Sequence, residues 1–166
     1  KLIFNVAVML GSLPKEAKDF LIKELHIQYR YSNLNTAFWA SLKYLPNLEV
    51  LVLGNDIRPD SSWNNTLSEE LTNLKKLRVL DTNSFGFTEI PASISNLTNL
   101  EELNLSLEGQ NVAIPESIKA LTNLKKFNIG IKMLPMMSDK EEAKLLSDRA
   151  AKYQKIFPNC EVTCSR

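Results

Sequence analysis

Histidine is almost missing from this chain: His26 is the only one in 166 residues, beside two cysteines and five glycines. One imidazole and two thiols fall short of a four-ligand zinc site, and catalysis by clustered acids, bases and nucleophiles has little to draw on. The glycines, Gly11, Gly54, Gly86, Gly109 and Gly130, form no run able to cradle a phosphate. No apolar stretch approaches the roughly 20 residues that cross a bilayer, so no membrane span is expected. Twenty basic against nineteen acidic side chains leave a net charge of +1, without the basic excess of a nucleic-acid partner. The expectation is a non-enzymatic chain with no cofactor, no metal and no nucleic-acid ligand.

What is present suits one folded unit, with 44% hydrophobic and 23% charged residues. The apolar opening Lys1-Leu2-Ile3-Phe4-Asn5-Val6 is broken by Asn5 and lacks a small-residue cleavage site, which argues against a signal peptide. The chain opens without Met, and we expect a targeting segment or a neighbouring domain upstream. Cys160 and Cys164 are four residues apart. On a strand their Cα atoms lie roughly 13 Å apart, beyond the ~7 Å reach of a disulfide.

The dominant feature is repetition. Leu97-Thr98-Asn99-Leu100-Glu101-Glu102-Leu103-Asn104-Leu105 returns as Leu121-Thr122-Asn123-Leu124-Lys125-Lys126-Phe127-Asn128-Ile129, with earlier copies from Leu45 and Leu71. A period in the twenties means a solenoid, whose units bury their apolar faces only by stacking. Aligned as L-x-x-L-x-L, the copies begin at Ile22, Leu48, Leu77, Leu100 and Leu124. Degenerate ends stand at Phe4-x-Val6 and Phe157-x-x-Cys160-x-Val162. Their middle positions, 4, 25, 51, 80, 103, 127 and 160, predict about seven short strands. Pro91 and Pro115 open short helices between strands, and Phe38, Leu42 and Leu45, flanked by Trp39 and Tyr44, read as core under a longer helix. The repeats fill residues 1–137 of a single domain. Ser138-Asp139-Lys140-Glu141 is a capping box, opening a helix through Ala143, Leu145, Leu146, Ala150, Tyr153 and Ile156 that closes the solenoid end with a final strand, residues 138–166.

These residues resemble the leucine-rich repeat family over nearly the whole chain. The Ile-Pro-x-x-Ile-x-x-Leu-x-x-Leu-x-x-Leu-x-Leu form is similar to repeats of bacterial surface proteins and plant receptors. The ending from Ile156 to Val162 looks like the terminal strand of bacterial members. The resemblance implies an α/β solenoid, a right-handed β-α superhelix with its parallel sheet on the concave face. It also implies a secreted or cell-envelope location, with a cytoplasmic one as the alternative. The family's asparagine ladder is replaced by Arg30, Asp56, Phe85, Glu108 and Lys132, so looser turns are expected there.

The concave face is the default recognition surface, because its side chains carry no core duty. It combines His26, Val52, Asp81, Asn104 and Asn128 with Gln28, Gly54, Asn83, Ser106 and Gly130, a polar and nearly uncharged ladder. His26 is a surface or ligand-contact residue, since Asp81 lies two strands away, roughly 9–10 Å. Amides and hydroxyls suit a protein partner, with a glycan also possible. Seven strands by four residues project roughly 370 Å², under half of the ~800 Å² per partner of a standard interface. The loops at Trp63 and Tyr29-Arg30-Tyr31 are candidates to extend it. The competing functions are a targeting domain of a larger enzyme, such as an effector ligase, and a structural spacer.

Overall fold

A computed structural model describes residues 2–3, 21–29, 36–55, 66–82, 85–133 and 136–166. Phe4, Val6, Arg30, Tyr31, Asp56, Trp63 and Asn83, all named above, lie outside them. Among the described residues seven strands form one parallel sheet in sequence order: β1 (Leu2–Ile3), β2 (Glu24–Tyr29), β3 (Val50–Asn55), β4 (Val79–Asp81), β5 (Glu102–Gly109), β6 (Lys126–Met133) and β7 (Glu161–Ser165). Leu25, Leu51, Leu80, Leu103 and Phe127 stand side by side across five strands, and all are buried. One residue in two points inward, so the leucines of each repeat form continuous rows. Each buried side chain of this size contributes about 1.5–3 kcal/mol relative to exposure.

Between strands the chain advances in steps of three. Ile94, Leu97 and Leu100 are buried, as are Ile118, Leu121 and Leu124. Spacing of three, without the fours of an α-helix, matches the 3₁₀ helix, whose side chains at i and i+3 eclipse. The segments Glu69–Asn73, Ala92–Asn96 and Glu116–Ala120 are accordingly 3₁₀ helices. Pro91 and Pro115 immediately precede the latter two, in extended backbone. The run of three-residue turns continues past each helix: Leu97 N donates to Ile94 O at 3.1 Å and Leu100 N to Leu97 O at 3.0 Å. The earlier unit, with Phe38 and Leu42 four apart, instead forms α1 (Thr36–Ser41) before a short 3₁₀ turn. Phe38, Trp39, Leu42 and Leu45 are core, with Tyr44 against them.

Both end strands are offset from the expected register by two residues. Leu2, not Phe4, pairs with Leu25, and Val162, not Cys160, pairs with Phe127. A slip of two preserves which side faces inward, so the alternation pattern could not reveal it. Cys160 is buried in the turn before β7, where its N–H donates to Phe157 O, and both cysteines are free thiols.

The C-terminal unit is α2 (Asp139–Ile156), opened by Ser138 with the reciprocal capping box to Glu141. Of the residues expected along its inner face only Tyr153 is buried, while Ala143 and Ile156 are exposed. Tyr153 and Phe157 set their rings edge-on to Phe127, with centroids 5.5 and 6.0 Å away. Arg149 adds polar attachment, donating through Nη2 to the carbonyls of Gln110 and Val112, each at 3.1 Å.

At the missing asparagine positions the described turns are not loose. Phe85 is buried and its ring stacks on Phe87, while Glu108 and Lys132 continue β5 and β6, which reach eight residues each. Backbone groups that an asparagine would satisfy are taken up by pairing between strands, through Leu107↔Ile131 and Gly109↔Met133. Phe87 returns beside β5, its N–H donating to Ser106 O at 2.8 Å. Gly86 makes room for Glu108, since an added Cβ would stand 1.7 Å from Glu108 Oε2. Burial pushes the Glu108 carboxyl above its ordinary value, opposed by the charge of Lys132.

Candidate functional site

The outward side of the sheet presents two rows that run from β2 to β7, and a partial third through Gln28, Gly54, Ser106, Gly130 and Ser165. The central row holds His26, Val52, Asp81, Asn104, Asn128 and Thr163, aligned by register. Its second half is a hydrogen-bonded chain. Thr163 donates its hydroxyl to Asn128 Oδ1, Asn128 Nδ2 donates to Asn104 Oδ1 at 2.5 Å, and Asn104 Nδ2 donates to Asp81 Oδ2 at 3.0 Å. All donors point one way, towards the carboxylate. Each asparagine spends one amide N–H inside the chain and keeps a second for solvent or a ligand.

Val52 separates Asp81 from His26, whose Nε2 lies 3.9 Å from Glu24 Oε2. Gln28 pairs with Gly54 in register. Ser106 does not belong to the exposed set: it is 2% exposed, with Phe87 paired beside it on β5.

Sequence reasoning overlooked a further outward row, one step earlier on each strand: Glu24, Val50, Val79, Glu102, Lys126 and Glu161. Extending the period-two alternation one position back would have found it. It changes the character of the face. Within these two rows Glu24, Asp81, Glu102 and Glu161 stand with one ammonium, Lys126. Lys126 Nζ lies 3.6 Å from Glu102 Oε1. Val50, Val52 and Val79 form a half-buried aliphatic patch beside them.

A different array runs along the edge where strands begin. The residue after the first leucine of each repeat reads Lys23, Glu49, Arg78, Glu101, Lys125, alternating in sign. Lys23 Nζ is 2.7 Å from Glu49, Arg78 Nη1 is 3.8 Å from Glu49, and Arg78 Nε and Lys125 Nζ are each 2.7 Å from Glu101. The Arg78 and Lys125 hydrogen bonds hold the Glu101 carboxyl down at about 2, and Lys23 lowers Glu49. The same five positions knit the backbone, because the carbonyls of Lys23, Glu49, Arg78 and Glu101 each accept two N–H groups of the next repeat. Asn99 and Asn123, of the recurring Thr-Asn pair, donate to the carbonyls of Lys75 and Thr98 one repeat back. These charges face one another and hold neighbouring repeats together.

Among the described residues no group of three or more His, Cys, Asp and Glu is placed to hold a metal, and no helix is long and apolar enough to cross a membrane. Burial pushes the thiols of Cys160 and Cys164 upward, which disfavours the reactive thiolate.

No family model and no curated protein matches the chain. Among solved structures it is similar to a leucine-rich repeat protein of Leptospira interrogans, with 22% identity and a TM-score of 0.52, over 76% of this chain and 31% of that one. It is also similar to an internalin of Listeria monocytogenes, with 17% identity and a TM-score of 0.50, over 93% of this chain and 37% of that one. The chain thus spans about a third of the length of the structures it matches. With the sequential parallel sheet and its rows of buried leucines, these likenesses show that the chain adopts the leucine-rich repeat fold.

Proposed function

We propose that this chain is a binding module for a protein partner, which docks on the outward face of the sheet over His26, Gln28, Val52, Asp81, Asn104 and Asn128. The observation that carries the reading is the ordered amide chain from Thr163 to Asp81. Its side chains are positioned by one another and by paired strands, so little freedom is lost when a ligand binds. The reading assigns no reaction to the chain. Similarity to bacterial leucine-rich repeat structures supports a bacterial protein that acts at the cell surface or after secretion.

Pull-down with the purified chain, followed by the variants Asp81→Arg and Asn104→Arg, tests this. Each variant places a bulky cation in the middle of the face and is expected to abolish capture of any partner retained by the parent chain. A partner held equally by both variants removes the outward face from consideration.

A further inference from the structure

We infer that the outward face takes an extended, cationic segment of its protein partner, one in which Lys or Arg stands next to an aliphatic residue; this rests on the binding reading above. The first ground is charge. Glu24, Asp81, Glu102 and Glu161 against Lys126 give the two rows a net of minus three, on a chain whose total is +1. Negative charge is therefore gathered on this face, and it attracts a basic partner while repelling an acidic one.

The second ground is the arrangement around Val79. Val79 pairs with Glu102 and Asp81 pairs with Asn104, so Asp81 and Glu102 are diagonal neighbours flanking a half-buried valine. Diagonal side chains of adjacent strands lie about 7–8 Å apart. The apolar stem of a Lys or Arg fits over Val79, with its charged head between the two carboxylates. Val50 and Val52, on the next strand, extend the aliphatic surface to receive a neighbouring apolar side chain. The remaining N–H groups of Asn104 and Asn128 suit main-chain carbonyls.

The test is selection of phage-displayed random peptides on the immobilised chain, with the winners remeasured as synthetic peptides. Lys or Arg beside Val, Ile or Leu is expected in the enriched sequences. Their affinity is expected to fall about tenfold or more between roughly 0.05 and 0.5 M salt, and about tenfold in the double variant Asp81→Asn, Glu102→Gln. Both changes are nearly isosteric on a solvent face, and circular dichroism checks that the fold is kept. Enrichment of neutral or acidic peptides that still lose binding in Asn104→Arg overturns the charge inference and leaves the face as the binding surface. Binders indifferent to Asp81→Arg and Asn104→Arg overturn both. Failure to enrich any peptide overturns the cationic segment, and binding of a neutral oligosaccharide that Asp81→Arg abolishes would replace it with a glycan.

Discussion

The two halves of the sheet share an interior and differ on the outside. Strands β2, β3 and β4 bury Leu25, Leu51 and Leu80 in the same register in which β5 and β6 bury Leu103 and Phe127. Outward, however, the first half shows His26, Val52, Val50 and Val79, while the second carries a continuous chain of side-chain hydrogen bonds that ends on Asp81 of β4. Between β2 and β3 the chain passes through the α-helical turn Thr36–Ser41, whereas the 3₁₀ helices Ala92–Asn96 and Glu116–Ala120 lead into β5 and β6, which reach eight residues each. Inward positions are held uniform because every neighbour must pack against them. Outward positions are released from that demand, so differences between repeats accumulate where a ligand would touch.

The interior of the second half is also braced from outside the sheet, and breaking that brace has the largest expected effect. Phe127→Ala removes a buried ring that meets both Tyr153 and Phe157 and is expected to cost about 3–5 kcal/mol. It also detaches α2, which buries only Tyr153. Leu51→Ala, the matching change in β3, is expected to cost about 2–4 kcal/mol without reaching α2. Urea unfolding gives the totals, and amide exchange along α2 separates the two cases. Equal protection of α2 in both variants would show that the C-terminal unit stands independently of β6.

On the outward side the expected effects are smaller and of unlike kind. Asn104→Ala removes the centre of the amide chain, two side-chain bonds at once, and is expected to cost about 1 kcal/mol at this partly exposed site. Val52→Ala, on the same row of the other half, stays within about 0.5 kcal/mol. A double-mutant cycle between Asn104 and Asn128 is expected to show coupling of at least about 0.5 kcal/mol. Additivity within error would mean that the chain of bonds is a set of independent contacts, and the contrast between halves would reduce to composition.

The contrast between halves was only partly readable before folding. The inward leucines were legible because packing demands one residue type at one spacing, and the capping box at Ser138 because two reciprocal bonds need Ser and Glu three apart. The end-strand register was not, since a slip of two residues leaves the inward pattern intact. Nor was the burial of Ser106. Phe87 pairs beside it on β5 through backbone groups that every sequence carries, so the pairing left no mark in the pattern of side chains. Of the expected site, His26, Val52, Asp81, Asn104 and Asn128 do share one row, while Glu24, Glu102 and Glu161 were overlooked for want of one further step of alternation. The charge array was written as Lys, Glu, Arg, Glu, Lys. Its members sit more than twenty residues apart, and only the stacked repeats set them side by side.

That array joins the halves, and its uneven spacing supplies the smallest effect. Arg78 lies 2.7 Å from Glu101 on one side and 3.8 Å from Glu49 on the other, so the looser link falls at β3–β4, beside the aliphatic patch. A carboxylate whose folded pKa is depressed contributes stability that is fully present above its unfolded value and is lost as pH falls through the folded one. For Glu101 the window runs from 4.5 down to about 2. Glu49 is also lowered from 4.5, chiefly by Lys23. Both side chains are partly exposed, Glu49 to 27% and Glu101 to 25%, so added salt weakens the effect. As pH falls below 4.5, the amides of Arg78 and Val79, bonded to Glu49 O, are expected to lose exchange protection before those of Lys125 and Lys126, bonded to Glu101 O. Glu101→Gln is expected to remove this order and to flatten the acid side of the stability curve. Simultaneous loss of protection at both links in the parent chain would show that the array acts as one unit, and that the two halves differ only in the face they present.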